Sequence, residues 1–159
     1  MPDYGVDTPA WVPLPWSWAA ERLVANRNFW VVTVSADGRP HALPVWGVWD
    51  DVDGRFAFSC GPRSRKARNL AANPRAVVMV DSTVECVSVE GRAAPVTDDR
   101  RQATWVERYL SKYQPLAPAL TAEFLGQNAI MEFEPERAFA VIEREDEFAT
   151  RATRWVFEV

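Results

Sequence analysis

Two Asp/Gly reversals constrain this chain more than any other feature. Ala36-Asp37-Gly38 and Asp51-Val52-Asp53-Gly54 separate runs of β-branched and aromatic residues, and Asp and Gly tolerate the positive φ angles of tight reversals. Before the first lies Phe29-Trp30-Val31-Val32-Thr33-Val34; between them lies His41 to Trp49, apolar on both faces; after the second comes Arg55-Phe56-Ala57-Phe58-Ser59-Cys60. Three successive antiparallel strands are expected. Further strands are expected at Ala76 to Asp81, Val84 to about Ala94, near Ala129 to Phe133, at Phe139 to Glu143, and from about Phe148 to Phe157. Short sequential strands without a βαβ rhythm predict a mainly β fold, an antiparallel barrel with a few helices.

Three helices are expected. Ser17 is placed to cap one running to about Asn26, and Arg63 to Ala72 reads as a second, ended by Asn73-Pro74 because the residue before proline disfavours helical angles. A third opens at Thr97-Asp98-Asp99, whose acids oppose the helix dipole. Trp105 with Tyr109, and Val106 with Leu110, lie four apart and define its apolar face.

The 159 residues suit one domain that needs no covalent staple. Residues 1–16, with Pro9, Pro13 and Pro15, read as an arm that packs on a single domain spanning 17–159. Two cysteines and one histidine leave no framework of disulfides, no zinc cluster and little room for a nucleophilic triad. A net charge of −4 argues against a nucleic-acid binder, which needs excess cations to displace phosphate counterions. The longest uncharged run, Thr8 to Ala20, is 13 residues with three prolines, too short to cross a bilayer. With a start that lacks the pattern of a secretory signal, the expected location is the cytoplasm.

Charge distribution points to a local site. From Gly54 to Val80 there are six cationic residues and no acid. Within this stretch Ser59-Cys60-Gly61-Pro62-Arg63-Ser64-Arg65-Lys66 leaves a strand, turns, and opens a helix whose first N–H groups lack internal partners. A hydroxyl at Ser64, a guanidinium at Arg65 and an ammonium at Lys66 supply the donors that phosphate oxygens require. A solvated basic helix start with an ordinary serine cap is the competing reading.

The ordered combination of Val31 to His41, Pro44-Val45-Trp46, Phe58-Ser59 through Ser64-Arg65-Lys66, Asn69-Leu70 and Asn73-Pro74-Arg75 resembles the pyridoxamine 5′-phosphate oxidase-like split-barrel flavoproteins. The closing Thr153-Arg154-Trp155-Val156-Phe157 is similar to that of the actinobacterial flavin/deazaflavin oxidoreductases within that superfamily. The resemblance covers about residues 17 to 157. It implies a split barrel of six or seven strands, a homodimer, and a flavin-type cofactor in a groove between subunits. It places the cofactor phosphate on Ser64, Arg65 and Lys66, and ring contacts on Pro44, Val45, Trp46, Ser59 and Cys60, with Trp155 as a further candidate. Arg63, Arg68 and Arg75 either extend that grip or are ordinary surface arginines.

One departure separates branches of the family. The pyridoxamine phosphate oxidases carry an arginine and a lysine on the second strand, and Leu43 to Trp49 has neither. The resemblance therefore favours the branch using the deazaflavin coenzyme F-420, whose phosphate is a diester followed by a tail of carboxylates. The implied activity is hydride transfer between reduced F-420 and an electron-poor small molecule, a quinone, enone or tetrapyrrole. Such chemistry asks the protein to position and shield the ring rather than supply a reactive side chain. His41, Tyr109 and Tyr113 read as structural, and no catalytic residue is assigned. The alternatives are an FMN-binding oxidoreductase of the same fold and a non-enzymatic flavin- or haem-binding module.

Overall fold

A computed structural model describes residues 9–157. Helix α1 (Trp16–Ala25) leads into three strands, β1 (Asn28–Val34), β2 (Pro40–Asp50) and β3 (Arg55–Cys60), then helix α2 (Arg65–Ala72). Strands β4 (Arg75–Val80) and β5 (Glu85–Pro95) precede helices α3 (Asp99–Tyr113) and α4 (Ala122–Gly126). The chain closes with β6 (Ala129–Ile142), α5 (Phe148–Arg151) and β7 (Thr153–Val156). All strand pairs are antiparallel, in the order β3-β2-β1-β4-β5-β6-β7, and an additional β3–β6 pairing closes the first six into a barrel.

The two reversals sit where Asp/Gly predicts them, with Gly38 at φ 84° and Gly54 at φ 62°. Alternation drives β1: Phe29, Val31 and Thr33 are fully buried while Trp30 faces outward. Phe56, Ala57 and Phe58 on β3 are buried in succession because this strand is covered on both faces. Phe56 and Phe58 join the barrel interior. Ala57 joins a second core with Val48 and Ile130 under Trp105, Tyr109 and Tyr113 of α3, Leu125 of α4 and Leu120 just before it.

Several expectations are corrected. Helix α1 starts at Trp16 with Pro15 as its cap, and Ser17 lies inside it; no side chain caps this end. The proline's fixed φ opens the turn earlier than Ser17 could. Helix α2 begins at Arg65, because Gly61 to Ser64 forms a turn in which the Ser64 N–H donates to the Gly61 carbonyl at 2.9 Å. On α3, Trp105, Tyr109 and Tyr113 form the buried stripe, and Val106 and Leu110 lie half-buried on its flank. The expected strand at 148–157 is a helical turn followed by the short β7, and α4 has no counterpart among the expected elements.

The two strands expected at 129–133 and 139–143 are one strand. Inward residues run Met131, Phe133, Pro135 and then Ala138, Ala140, Ile142. The parity changes because Gly91 pairs with Pro135 while Glu90 pairs with Arg137, leaving Glu136 as an extra residue. This bulge also divides the strand's partners: residues before it pair with β3, and Arg137 to Ala140 pair with β7. The bulged Glu136 carbonyl accepts from the Phe157 N–H at 3.0 Å.

Candidate functional site

Strands β2 and β3 pair only from Gly47↔Phe58 to Asp50↔Arg55. Beyond that rung Pro40 to Trp46 continue along β1 alone, and Ser59 and Cys60 continue along β6 alone. The strands part, and a cleft of about 440 Å³ opens between them. Pro44, Val45 and Trp46 form one wall, and Ser59, Cys60 and Gly61 form the other. Ser64 and Lys66 stand at one end, while Tyr109 approaches from α3, Phe124 and Leu125 from α4, and Leu120 and Asn128 from the segments flanking α4.

Two tyrosines hold the point of separation. The Tyr109 hydroxyl donates to the Trp46 carbonyl and accepts from the Ser59 N–H at 3.4 Å, so it touches both strands where they diverge. The Tyr113 hydroxyl donates to the Gly47 carbonyl at 2.7 Å and accepts from the Gly47 N–H at 2.8 Å. Its ring stacks on Trp46 with centroids 4.7 Å apart. Burial pushes the Tyr113 phenol up to about 12 and drives that of Tyr109 further still, so both remain protonated donors. Lys112 completes the clamp, its Nζ donating to the Gly47 carbonyl at 3.1 Å, and desolvation lowers its ammonium to about 8.

At the basic end, Ser64 is the N-cap of α2 and its Oγ accepts from the Ala67 N–H at 3.3 Å. The hydroxyl proton stays available to a ligand. The Arg65 and Lys66 N–H groups have no acceptor within the described residues, as the first turn of a helix requires. Lys66 is half-buried and makes no ion pair among the described residues.

Pro44, Val45, Trp46, Ser59, Cys60, Ser64 and Lys66 thus come together around one cavity. Arg65 does not join them: it lines a separate pocket on the other side of α2. The exposed Arg63 lines neither cavity, and its carbonyl accepts from Arg68. Trp155 packs edge-on against Trp16 at 5.4 Å, away from the cleft. Sequence reasoning missed the contribution of Phe124 and Leu125 on α4 and of Leu120 and Asn128 beside it. The only local signal for α4 is Thr121, whose side chain caps it by accepting from the Phe124 N–H at 3.1 Å. Tyr109 belongs to the core, as its place on the apolar face of α3 predicts, with 3% exposure, but its hydroxyl end reaches the cleft.

A six-stranded barrel that splits beside a basic helix start defines a split-barrel protein with an apolar cleft that ends at a lysine. Residues 19–142 match the pyridoxamine 5′-phosphate oxidase family, and the chain belongs to it. A pyridoxine/pyridoxamine 5′-phosphate oxidase from Cupriavidus taiwanensis is 36% identical over 110 residues, 67% of this chain and 51% of the relative. The chain thus spans about half the length of the curated relatives it matches. Among solved structures, an F420 reductase aligns with a TM-score of 0.59 at 22% identity, covering 74% of this chain and 93% of that one. A heme binding protein from Mycobacterium smegmatis aligns with a TM-score of 0.67 at 17% identity, covering 91% of this chain and 60% of that one. These likenesses establish the shared fold. No helix among the described residues is long and apolar enough to cross a membrane.

Proposed function

We propose that this chain is an oxidoreductase that binds the deazaflavin coenzyme F-420 in the β2/β3 cleft and serves hydride transfer to or from an electron-poor small molecule. The observation that carries this reading is the cation count in the cleft. Lys66 is the only Lys or Arg that lines it, because Arg65 turns to the opposite side of α2 and β2 contributes neither residue type. One ammonium, one hydroxyl and two free N–H groups match the single charge of the F-420 phosphodiester, and its carboxylate tail would run out of the cleft, where the exposed Arg63 is a candidate partner.

F-420, when bound, supplies a ring carbon that accepts or donates hydride. The chain's part is binding and shielding. Lys66 and Ser64 would hold the phosphate, while Pro44, Val45 and Trp46 offer an apolar wall that excludes water. The Tyr109 O–H is engaged by the Trp46 carbonyl, which leaves it a holder of the cleft rather than a free acid. FMN is the second reading, favoured by the name of the curated relatives; a haem- or flavin-binding module without turnover is the third.

The open edge of β2 from Pro40 to Trp46, with Leu43 43% exposed and Trp30 41% exposed on the neighbouring strand, is where a second copy of the chain would complete the groove. A soluble cytoplasmic homodimer belongs to this proposal, and light scattering on the eluted protein reports its mass. Titrations with F-420, FMN and haem, followed by tryptophan fluorescence, test the ligand. F-420 is expected to bind tightest, with Trp46 in the cleft wall as a reporter. Tight FMN binding without an F-420 response would overturn the assignment. Oxidation of reduced F-420 by quinones, enones or tetrapyrroles in the presence of the protein tests turnover.

A further inference from the structure

One amine lies outside the cleft and lacks a counter-charge. Lys66 and Lys112 are the only lysines in the sequence, and both are half-buried. Lys66 faces the cleft, whereas Lys112, on the last turn of α3, reaches the Gly47 backbone and the start of β1.

The surroundings of Lys112 receive a cation poorly. Its Nζ donates to the Gly47 carbonyl at 3.1 Å and lies 5.1 Å from the centre of the Phe29 ring and 5.5 Å from that of Tyr113. No carboxylate stands within ion-pair distance of it among the described residues. The charged groups around it are cationic or already neutralised. Arg27, at the entry to β1, lies over the Trp46 ring, 5.7 Å from its centre, and has no acid partner among the described residues either. Arg108, one turn back on α3, is paired with Asp50. The Tyr113 phenol stays protonated. One carbonyl dipole and two ring faces compensate a charge less well than a carboxylate would, so the ammonium is held partly dry without a counter-ion. Desolvation accordingly lowers it to about 8 from 10.5. At neutral pH that leaves roughly two orders of magnitude more neutral amine than an ordinary lysine offers.

We propose that Lys112 is an acylation site for small activated donors of the acyl-phosphate class. A neutral Nζ attacks the acyl carbon. The C–N bond forms as the C–O bond to phosphate breaks, and phosphate departs with the bonding pair and takes up the proton that the nitrogen sheds. Arg27, without an acid partner, draws in the anionic donor. The product is a neutral amide where a charged donor met the Gly47 carbonyl. None of this depends on which cofactor fills the cleft.

The full chain, without added cofactor, is incubated with acetyl phosphate and, separately, with acetyl-CoA across neutral and alkaline pH, and acetylation at each lysine is followed by mass spectrometry of its peptides. Lys66 is the internal reference. With acetyl phosphate at neutral pH, Lys112 is expected to react about 5-fold or more faster than Lys66. Its rate should climb through pH 8 and then level off, and the preference should vanish in denaturing urea. In Lys112→Arg the fast acetylation is expected to disappear while Lys66 labels at its former rate. The site is overturned if Lys112 labels no faster than Lys66, if its rate climbs over the whole range, if the preference survives in urea, or if acetyl-CoA labels it and acetyl phosphate does not. Absence of F-420 binding in the separate fluorescence titration leaves this result untouched.

Discussion

Lys66 and Arg65 are neighbours in sequence and strangers in space. Removing Lys66 takes a charge-assisted hydrogen bond out of the cleft, so Lys66→Ala is expected to weaken cofactor binding by about 1.5 to 3 kcal/mol, roughly 10- to 150-fold, with little change in melting temperature. Arg65→Ala, on the opposite side of α2, is expected to change that affinity far less; calorimetric titration of both variants separates the two positions. Lys112 and the tyrosines beside it predict a pH signature. With its ammonium lowered to about 8 from 10.5, Lys112 binds fewer protons folded than unfolded between those values. Stability therefore rises as pH climbs from about 8, because the burial penalty on the charge is relieved. Tyr113 acts in the opposite sense: its phenol, raised from 10 to about 12, contributes stability below pH 10 that is lost as pH climbs toward 12. Urea midpoints should rise above pH 8 and turn down above pH 10, and Lys112→Met should flatten the rise.

Among the elements, β2 and β6 set the shape of the site, and each depends on a glycine where a side chain has no room. A Cβ on Gly47 would lie 2.1 Å from Cζ of Phe56, a ring with no exposed surface. A Cβ on Gly91 would lie 2.0 Å from the Glu134 carbonyl oxygen, beside the bulge. The first clash is with a packed side chain and the second with backbone, so Gly91→Ala is expected to be the more damaging. Gly47→Ala should cost about 1 to 3 kcal/mol in urea denaturation and Gly91→Ala at least that much. Tyr109→Phe addresses the rung where β2 and β3 part. It leaves the Trp46 carbonyl without that donor, so a loss of about 1 to 3 kcal/mol is expected, together with weaker cofactor binding as the cleft loses its brace. Unchanged urea denaturation of Tyr109→Phe would show that the hydroxyl does not hold the strands.

At the scale of the whole molecule, the beginning and end of the described chain fasten to each other. The Val12 N–H donates to the Thr150 carbonyl at 2.8 Å, the Leu14 N–H to Thr153 Oγ1 at 2.8 Å, and Trp11 Nε1 to the Ala152 carbonyl at 2.8 Å. Trp16 then meets Trp49, Trp155 and Phe157 at centroid distances of 5.9, 5.4 and 4.9 Å. One indole thus ties α1 to the barrel and to the closing strand. A double-mutant cycle of Trp16→Ala and Trp155→Ala should give a coupling of about 0.5 to 1.5 kcal/mol. Additive losses would mean that Trp155 has no energetic tie to Trp16.

Residue order alone determined the features that depend on neighbours along the chain. The Asp/Gly reversals, the first three strands, the Asn73-Pro74 stop and the Asp98 start of α3 are set by backbone preferences that operate within a few positions. The pairing of a serine, a lysine and open N–H groups at the start of α2 was equally legible, since a helix start announces its own donors. Tertiary structure decided the rest. The Glu136 bulge breaks the period of two on which strand reading relies, and it exists only because Gly91 lets β5 approach closely. The separation of Arg65 from Lys66 follows from helical rotation against two different walls. The cleft itself is the space left where β2 follows β1 and β3 follows β6, a choice of partners that distant residues make together and that no local pattern encodes.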